Sequence, residues 1–238
     1  MKIYTNKLIC AAVFFAFGFN VMATTIYDDS ANYNNQVTLQ LANGLTVGNE
    51  ITNSGVWALT NFSFEYTTPS AALPTSLAVD VQFFLNNGTV TNGFKSPGTL
   101  FYDSGFFFNT AAGLIPGGGA HTISYNMADL YTNAATKLTG TLPSDFTFAI
   151  TFGNMGTNQI FLPLANSQNN VNGQTVRSFG DYWLYNNVNS QWTLMYSNSV
   201  AANFVVNFSG VVPEPSVMGL SALGGLLFLG ASKLKRKR

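Results

Sequence analysis

The chain has 238 residues, with 10 acidic and 10 basic side chains, and is 8% charged against 47% hydrophobic and 14% aromatic. That balance excludes a disordered polyelectrolyte and supplies enough apolar mass for a packed core. Neutrality belongs to the ends: between Thr24 and Val212 nine acids face only Lys95, Lys137 and Arg177, and three scattered cations exclude a phosphate-binding surface and hence nucleic acid as a partner.

Lys2 and Lys7 precede an apolar run from Leu8 to Phe19, and Val21-Met22-Ala23 sets small or tolerated residues at the positions read by signal peptidase. The pattern predicts a secretory signal peptide over residues 1–23, cut between Ala23 and Thr24 after passage through the secretion machinery. Cys10, the single cysteine, leaves with it, so the mature body has no disulfide and depends on its core. Thr24 to Asn35 reads as a polar, irregular loop. Asp28, Ser30 and Asn32 have calcium-loop spacing, but the glycine and distal glutamate of an EF-hand are missing, so no metal and no cofactor is expected.

From there the chain reads as strands and turns. Val37, Leu39 and Leu41 share a face within Gln36 to Leu41, as do Phe62, Phe64 and Tyr66 within Val56 to Tyr66. Leu77 to Leu85 repeats the period-two pattern through Leu77, Val79, Val81 and Phe83, and Asn86-Asn87-Gly88 supplies an Asn-Gly turn signal after it. Thr99 to Tyr102 and Gly105 to Phe108 are two aromatic runs broken at Asp103-Ser104. Pro116-Gly117-Gly118-Gly119 reads as a plain loop, since no Lys or Ser/Thr follows in phosphate-loop register, and Ala120 to Tyr125 as a short strand. Ala128 to Leu138 is the one helix candidate of the body. Phe146, Phe148, Ile150 and Phe152 alternate with small and polar residues, and Ile160 to Leu164, Val176 to Leu184, Gln191 to Tyr196 and Asn203 to Phe208 complete the set. About ten short runs separated by Gly, Asn, Ser and Pro predict an all-β fold, a β-sandwich or jelly-roll-like ectodomain over residues 24–210.

Complete catalytic constellations are missing. His121, the only histidine, has no nucleophile elbow to serve. Glu50 and Glu65 are the body's only glutamates; Glu65 reads as the solvent-side charge of a half-buried strand, and a carboxylate pair for glycoside hydrolysis would be set by the fold rather than by spacing. The aromatic and amide-rich stretch Asp181 to Asn187, with Gln191-Trp192, has two readings. Trp183 and Trp192 can face each other in the core of a hairpin whose turn is Asn186 to Ser190. Alternatively Trp183, Tyr185 and Trp192 can stack on sugar rings while the neighbouring Asn, Gln and Asp bind hydroxyls.

The chain closes with Val212-Pro213-Glu214-Pro215, an uncharged run over residues 217–231, and Lys233-Leu234-Lys235-Arg236-Lys237-Arg238. The prolines favour an extended segment suited to a peptidase groove. The apolar run makes a helix of about 25 Å, slightly short of a hydrocarbon core of about 30 Å, and the basic end is a stop on the cytoplasmic side formed by Lys233, Lys235, Arg236, Lys237 and Arg238. In this order at the terminus, residues 211–238 resemble the PEP-CTERM sorting signal of exosortase substrates, with the family's Pro-Glu-Pro at Pro213, Glu214 and Pro215. The resemblance implies an exported bacterial protein, held transiently in the inner membrane by its C-terminal hydrophobic helix, recognised by an exosortase-type membrane peptidase, and passed to the cell envelope, outer surface or exopolysaccharide matrix. The sequence reading is therefore a non-enzymatic exported β-sandwich protein. The alternative is a lectin-like module for exopolysaccharide, and the third reading a secreted glycoside hydrolase.

Overall fold

The computed structural model of the protein describes residues 24–28, 33–53, 58–109, 115–126, 141–165, 176–178, 181–196 and 203–211. These form the strands β1 (Thr24–Asp28), β2 (Tyr33–Leu41), β3 (Thr46–Asn53), β4 (Ala58–Thr68), β5 (Ala78–Leu85), β6 (Val90–Thr91), β7 (Phe94–Lys95), β8 (Leu100–Asp103) and β9 (Phe107–Phe108). They continue as β10 (Gly119–Asn126), β11 (Asp145–Gly153), β12 (Ile160–Ala165), β13 (Val176–Ser178), β14 (Asp181–Asn186), β15 (Gln191–Tyr196), β16 (Asn203–Phe204) and β17 (Val206–Val211). The described part is all-β, and its pairings are antiparallel.

One sheet is built around β4, which pairs with β10 and β17 along opposite edges and continues through β12 to β2 and β16; β1 pairs with β17. The other runs β15-β14-β3-β11-β5-β8, with β13 on β3 and β9 on β5. The small β6–β7 hairpin stands apart. The two large sheets meet through aromatic rings. Phe62 of β4 lies 4.8 Å from Phe208 of β17 within its own sheet, and 5.5 Å from Phe83 and 5.6 Å from Phe148 of the facing sheet. Phe64 reaches Phe152 at 6.1 Å. These rings are 0–1% exposed. Two antiparallel sheets packed through their alternate residues are the arrangement of a β-sandwich.

The period-two strands lie where the apolar alternation places them, and three features differ from the sequence reading. First, Thr24–Asp28 is a strand, not an irregular loop; it has a register irregularity between Thr25 and Tyr27, and Ile26 and Tyr27 are both buried. A bulge sends consecutive side chains inward and erases the alternation. Second, β3 occupies a central position although Thr46–Asn53 shows no apolar repeat. Third, Asn87-Gly88 does not close a two-residue hairpin. That turn is Asn92-Gly93, with φ of 53° and 88°, the positive pair that the twist of a tight hairpin requires and that Asn-Gly adopts at least cost. The run Val176 to Leu184 divides into β13 and β14, and Asn203 to Phe208 into β16 and β17 around Val205.

The expected signal peptide 1–23, Ser30 and Asn32 of the calcium-spaced stretch, the helix candidate 128–138 and the tail from Val212 onward lie outside the described residues. Among the described residues no helix is long and apolar enough to cross a membrane. β1 begins at Thr24, the residue expected to open the mature chain, and pairs it with Gly210, two residues before Val212.

Candidate functional site

The face of the β15-β14-β3-β11-β5-β8 sheet turned away from the sandwich core is not an ordinary solvent face. Residues opposite one another in an antiparallel ladder share a face. The register therefore sets Tyr185, Thr46, Thr151 and Asp80 in one row, Trp183, Gly48, Ala149 and Gln82 in the next, and Glu50, Thr147 and Phe84 in a third. Thr46, Glu50, Asp80, Thr147 and Thr151 are all buried. Something covers this face, and the hairpin β14–β15 is part of the cover. Tyr185 pairs with Trp192 in register, with ring centroids 4.9 Å apart, and Trp192 lies 5.4 Å from Phe84. β15 and β5 are separated by β14, β3 and β11, which in a flat sheet would hold them about 19 Å apart. The ring contact therefore requires the sheet to curl over its outer face, and the Trp192–Phe84 pair clasps it.

Beneath and beside the clasp is a cleft of ≈ 630 Å³. Thr46, Thr151, Asp80 and Gln82 of the strand rows form its floor; the rings of Tyr185, Trp192 and Phe84 line it, as do Pro97, Gly98, Phe106 and Leu100, the ladder partner of Phe84. The Thr46 and Thr151 hydroxyls are hydrogen-bonded at 2.7 Å. Asn187 and Ser190 stand at the rim, where Asn187 Nδ2 donates to the Gly44 carbonyl at 2.8 Å and ties the hairpin turn to the β2–β3 loop. The segment around Gly98 and Thr99 is held by backbone bonds from Leu85 N to Thr99 O (2.8 Å) and Gly98 N to Leu85 O (2.9 Å), and by the Asn87 side chain on Thr99. Gly48 belongs to the floor's construction, since a Cβ there would lie 2.8 Å from Thr147 Cγ2 and 3.1 Å from the Phe148 carbonyl. A shaped trough with ring walls and hydroxyl, amide and carboxyl groups at its base can bind a polar ligand that has apolar faces.

Two carboxyl groups of this face hold their protons unusually well. Burial, then the adjacent Asp103 charge, pushes Asp80 up to about 7, with a hydrogen bond between the two carboxyls adding to the effect. Ser104 Oγ donates to Asp80 Oδ1 at 3.1 Å, and Gln82 Nε2 to Asp103 Oδ2 at 3.1 Å. Further along, burial and the neighbouring Asp145 and Asp181 push Glu50 up to about 8, although the hydrogen bond from Trp183 favours its charged form. Asp145 also accepts from Asn86 Nδ2, and Asn86 Oδ1 from Thr147 Oγ1 at 2.7 Å.

A pH signature follows from Glu50. Between its ordinary value of 4.5 and about 8 the unfolded chain releases a proton that the folded chain keeps, so stability falls as pH rises through that window. Glu50→Gln retains a donor for Asp145 and an acceptor for Trp183 while removing the titration. The variant is expected to show a flatter melting temperature between pH 5 and 8, and to exceed the native protein at about pH 8 by on the order of 2 kcal/mol in denaturant unfolding. A parallel decline in both proteins would refute the assignment.

The residues singled out in sequence separate here. Tyr185 and Trp192 line the cleft. Trp183 is 1% exposed and pairs with Leu194, so the two tryptophans do not face each other and the Trp183 ring is not presented to a ligand. His121, on β10, donates from Nε2 to the Gly117 carbonyl at 3.1 Å and lies against Tyr66, away from the cleft. Glu65 is half-buried on the side of β4 opposite Phe64 and Tyr66, with its carboxyl raised by burial and by Asp28. No group of three or more His, Cys, Asp and Glu side chains converges on a metal-sized site among the described residues. Ala23, the sorting motif Val212 to Pro215 and the basic stop lie outside the described residues. Sequence reasoning missed Asp80, Gln82, Thr46 and Thr151. The available signal was Asp80 itself, an acid in the middle of the apolar run Leu77 to Leu85. No family model, curated protein or solved structure matches this chain.

Proposed function

We propose that this chain is an exported, non-enzymatic glycan-binding protein of the cell envelope or extracellular matrix. Its jelly-roll-like β-sandwich ectodomain is delivered by the signal peptide and sorted through residues 211–238. The observation that carries the binding role is the cleft in which Tyr185, Trp192 and Phe84 stand over a floor of hydroxyl, amide and carboxyl groups. Sugars present apolar C–H faces to rings and hydroxyls to planar polar groups, and the cleft offers both on a rigid sheet. A hydrolase is less well supported. Asp80 and Asp103 are hydrogen-bonded to each other, as are Glu50 and Asp145, whereas carboxyls flanking a glycosidic bond stand about 5–9.5 Å apart. Titrating the exported protein with a panel of polysaccharides, with reducing-end release followed in the same samples, tests this. Saturable binding without release is expected; release would return the hydrolase reading, and no binding would remove the glycan role.

Sorting rests on the sequence of the tail. An extended Pro-Glu-Pro segment, a short glycine-bearing apolar helix and a basic stop suit a transient membrane handle that a peptidase removes. Replacing Pro213, Glu214 and Pro215 with alanine is expected to leave export intact and to stop C-terminal processing, so that the full-length species accumulates in the inner membrane. An unchanged size and location on immunoblots of fractionated cells would show that the motif is not read.

A further inference from the structure

The cleft's charge is one-sided. Asp80 lines its floor while only 6% exposed, and the Asp103 carboxyl is hydrogen-bonded to it from β8. No lysine or arginine is among the residues that line the cleft. Asp80 is held rather than free: Ser104 Oγ donates to its Oδ1, and Gln82 and the Gly105 N–H (2.7 Å) donate to Asp103. The strand pairing places the neutral Thr151 on its other side.

Resting on the glycan reading, we infer that the cleft selects uncharged sugar chains and rejects uronate- or sulfate-bearing ones, with Asp80 as the specificity-determining residue. A neutral sugar hydroxyl can donate to a carboxylate oxygen or accept from a carboxylic proton, so it suits Asp80 in either state. An anionic substituent cannot. It would be stripped of water beside a buried carboxyl group, with no cation among the described lining residues to compensate, and like charges a few ångströms apart in such a setting repel strongly. Rejection by an unfavourable juxtaposition is an efficient source of specificity, because it leaves affinity for the accepted ligand intact. The titratable groups near Asp80 among the described residues are Asp103 of β8 and the Tyr125 phenol of β10. Because burial and Asp103 push Asp80 up to about 7, its charge develops through the neutral range, and discrimination sharpens as pH rises from about 6 to 8.

The experiment is calorimetric titration of the full exported protein with two matched pairs of polymers, dextran against dextran sulfate and galactan against polygalacturonate. At about pH 8 the neutral member of a bound pair is expected to bind at least about tenfold more tightly. Asp80→Asn is expected to lower the neutral-to-anionic affinity ratio by about fivefold or more. Equal or tighter binding of the anionic polymers overturns the inference while leaving the glycan reading standing, and so does an unchanged ratio in a folded Asp80→Asn variant. Should that variant not fold, the native protein decides: a neutral-to-anionic ratio that grows between about pH 6 and 8 supports the inference, and a flat one overturns it. Binding of none of the four polymers overturns both.

Discussion

Phe62→Ala is expected to destabilise the protein by about 3–5 kcal/mol, enough to remove a large part of the stability of a domain of this size. Phe62 is 0% exposed and is the ring through which the sheets are joined, with Phe64, Phe83, Tyr125, Phe148 and Phe208 all within 6.4 Å. Its neighbours come from β4, β5, β10, β11 and β17, so no single strand can move to fill the space. With Cys10 the single cysteine of the sequence, no disulfide within the chain ties the sheets together while that gap stands open. Guanidinium unfolding followed by near-ultraviolet circular dichroism gives the measurement. Phe107→Ala, at a 37% exposed position on the edge strand β9, should stay within about 0.5 kcal/mol of the native protein. Comparable losses at the two positions would mean that the rings between the sheets do not form the core.

Trp192→Ala should weaken glycan binding by about tenfold to a hundredfold while leaving the fold in place. The indole is only half-buried and touches Tyr185 and Phe84, so its removal takes away the clasp and the largest stacking surface of the cleft together. A well-packed aromatic anchor carries about 1–3 kcal/mol of a binding energy, which is the stated range. Trp192→Phe, which keeps a ring, should retain most of the affinity. Trp183→Phe should do the opposite of Trp192→Ala: affinity unchanged, stability reduced, because its indole is buried and hydrogen-bonds Glu50. Affinity electrophoresis alongside thermal melts separates the two outcomes. Loss of binding at Trp183 with full binding at Trp192 would place the ligand elsewhere.

Much of the sandwich was legible because its inner faces obey a simple rule. In β4, β5, β11 and β17 large apolar residues recur at every second position, and those are the side chains buried between the sheets. β3 was illegible for the converse reason. Its outward residues Thr46, Gly48 and Glu50 form the polar, buried face of the cleft sheet, and one inward residue is Asn49, satisfied by donating to the Asp181 carbonyl at 2.9 Å. Only Val47 and Ile51 remain to signal a strand. The same logic hid half of the site. Tyr185 and Trp192 stood out as exceptional residues in an aromatic cluster. Thr46, Thr151 and Gln82 are unexceptional types, and they become a floor only because a curled sheet brings four strands distant in sequence under one clasp. Sequence spacing carries no record of that curl.

The pairing of Thr24 with Gly210 has a kinetic consequence. β17 supplies the partner of β1 and pairs with β4 from Ala58 to Phe64, so the first sheet cannot close until residues 206–211 are available. Contacts of such sequence separation form slowly, because the entropy of the intervening loop is lost before any pairing energy returns. For the export we propose, in which the chain crosses a membrane unfolded, that delay is an advantage. Until β17 is available, β1 and β4 lack that partner and the first sheet stays incomplete. The exposed edge of β4 is also a hazard during that interval, since an unpaired strand edge templates aggregation. Closure by β17, the last of the described strands, thus comes after every other described strand of that sheet has been made.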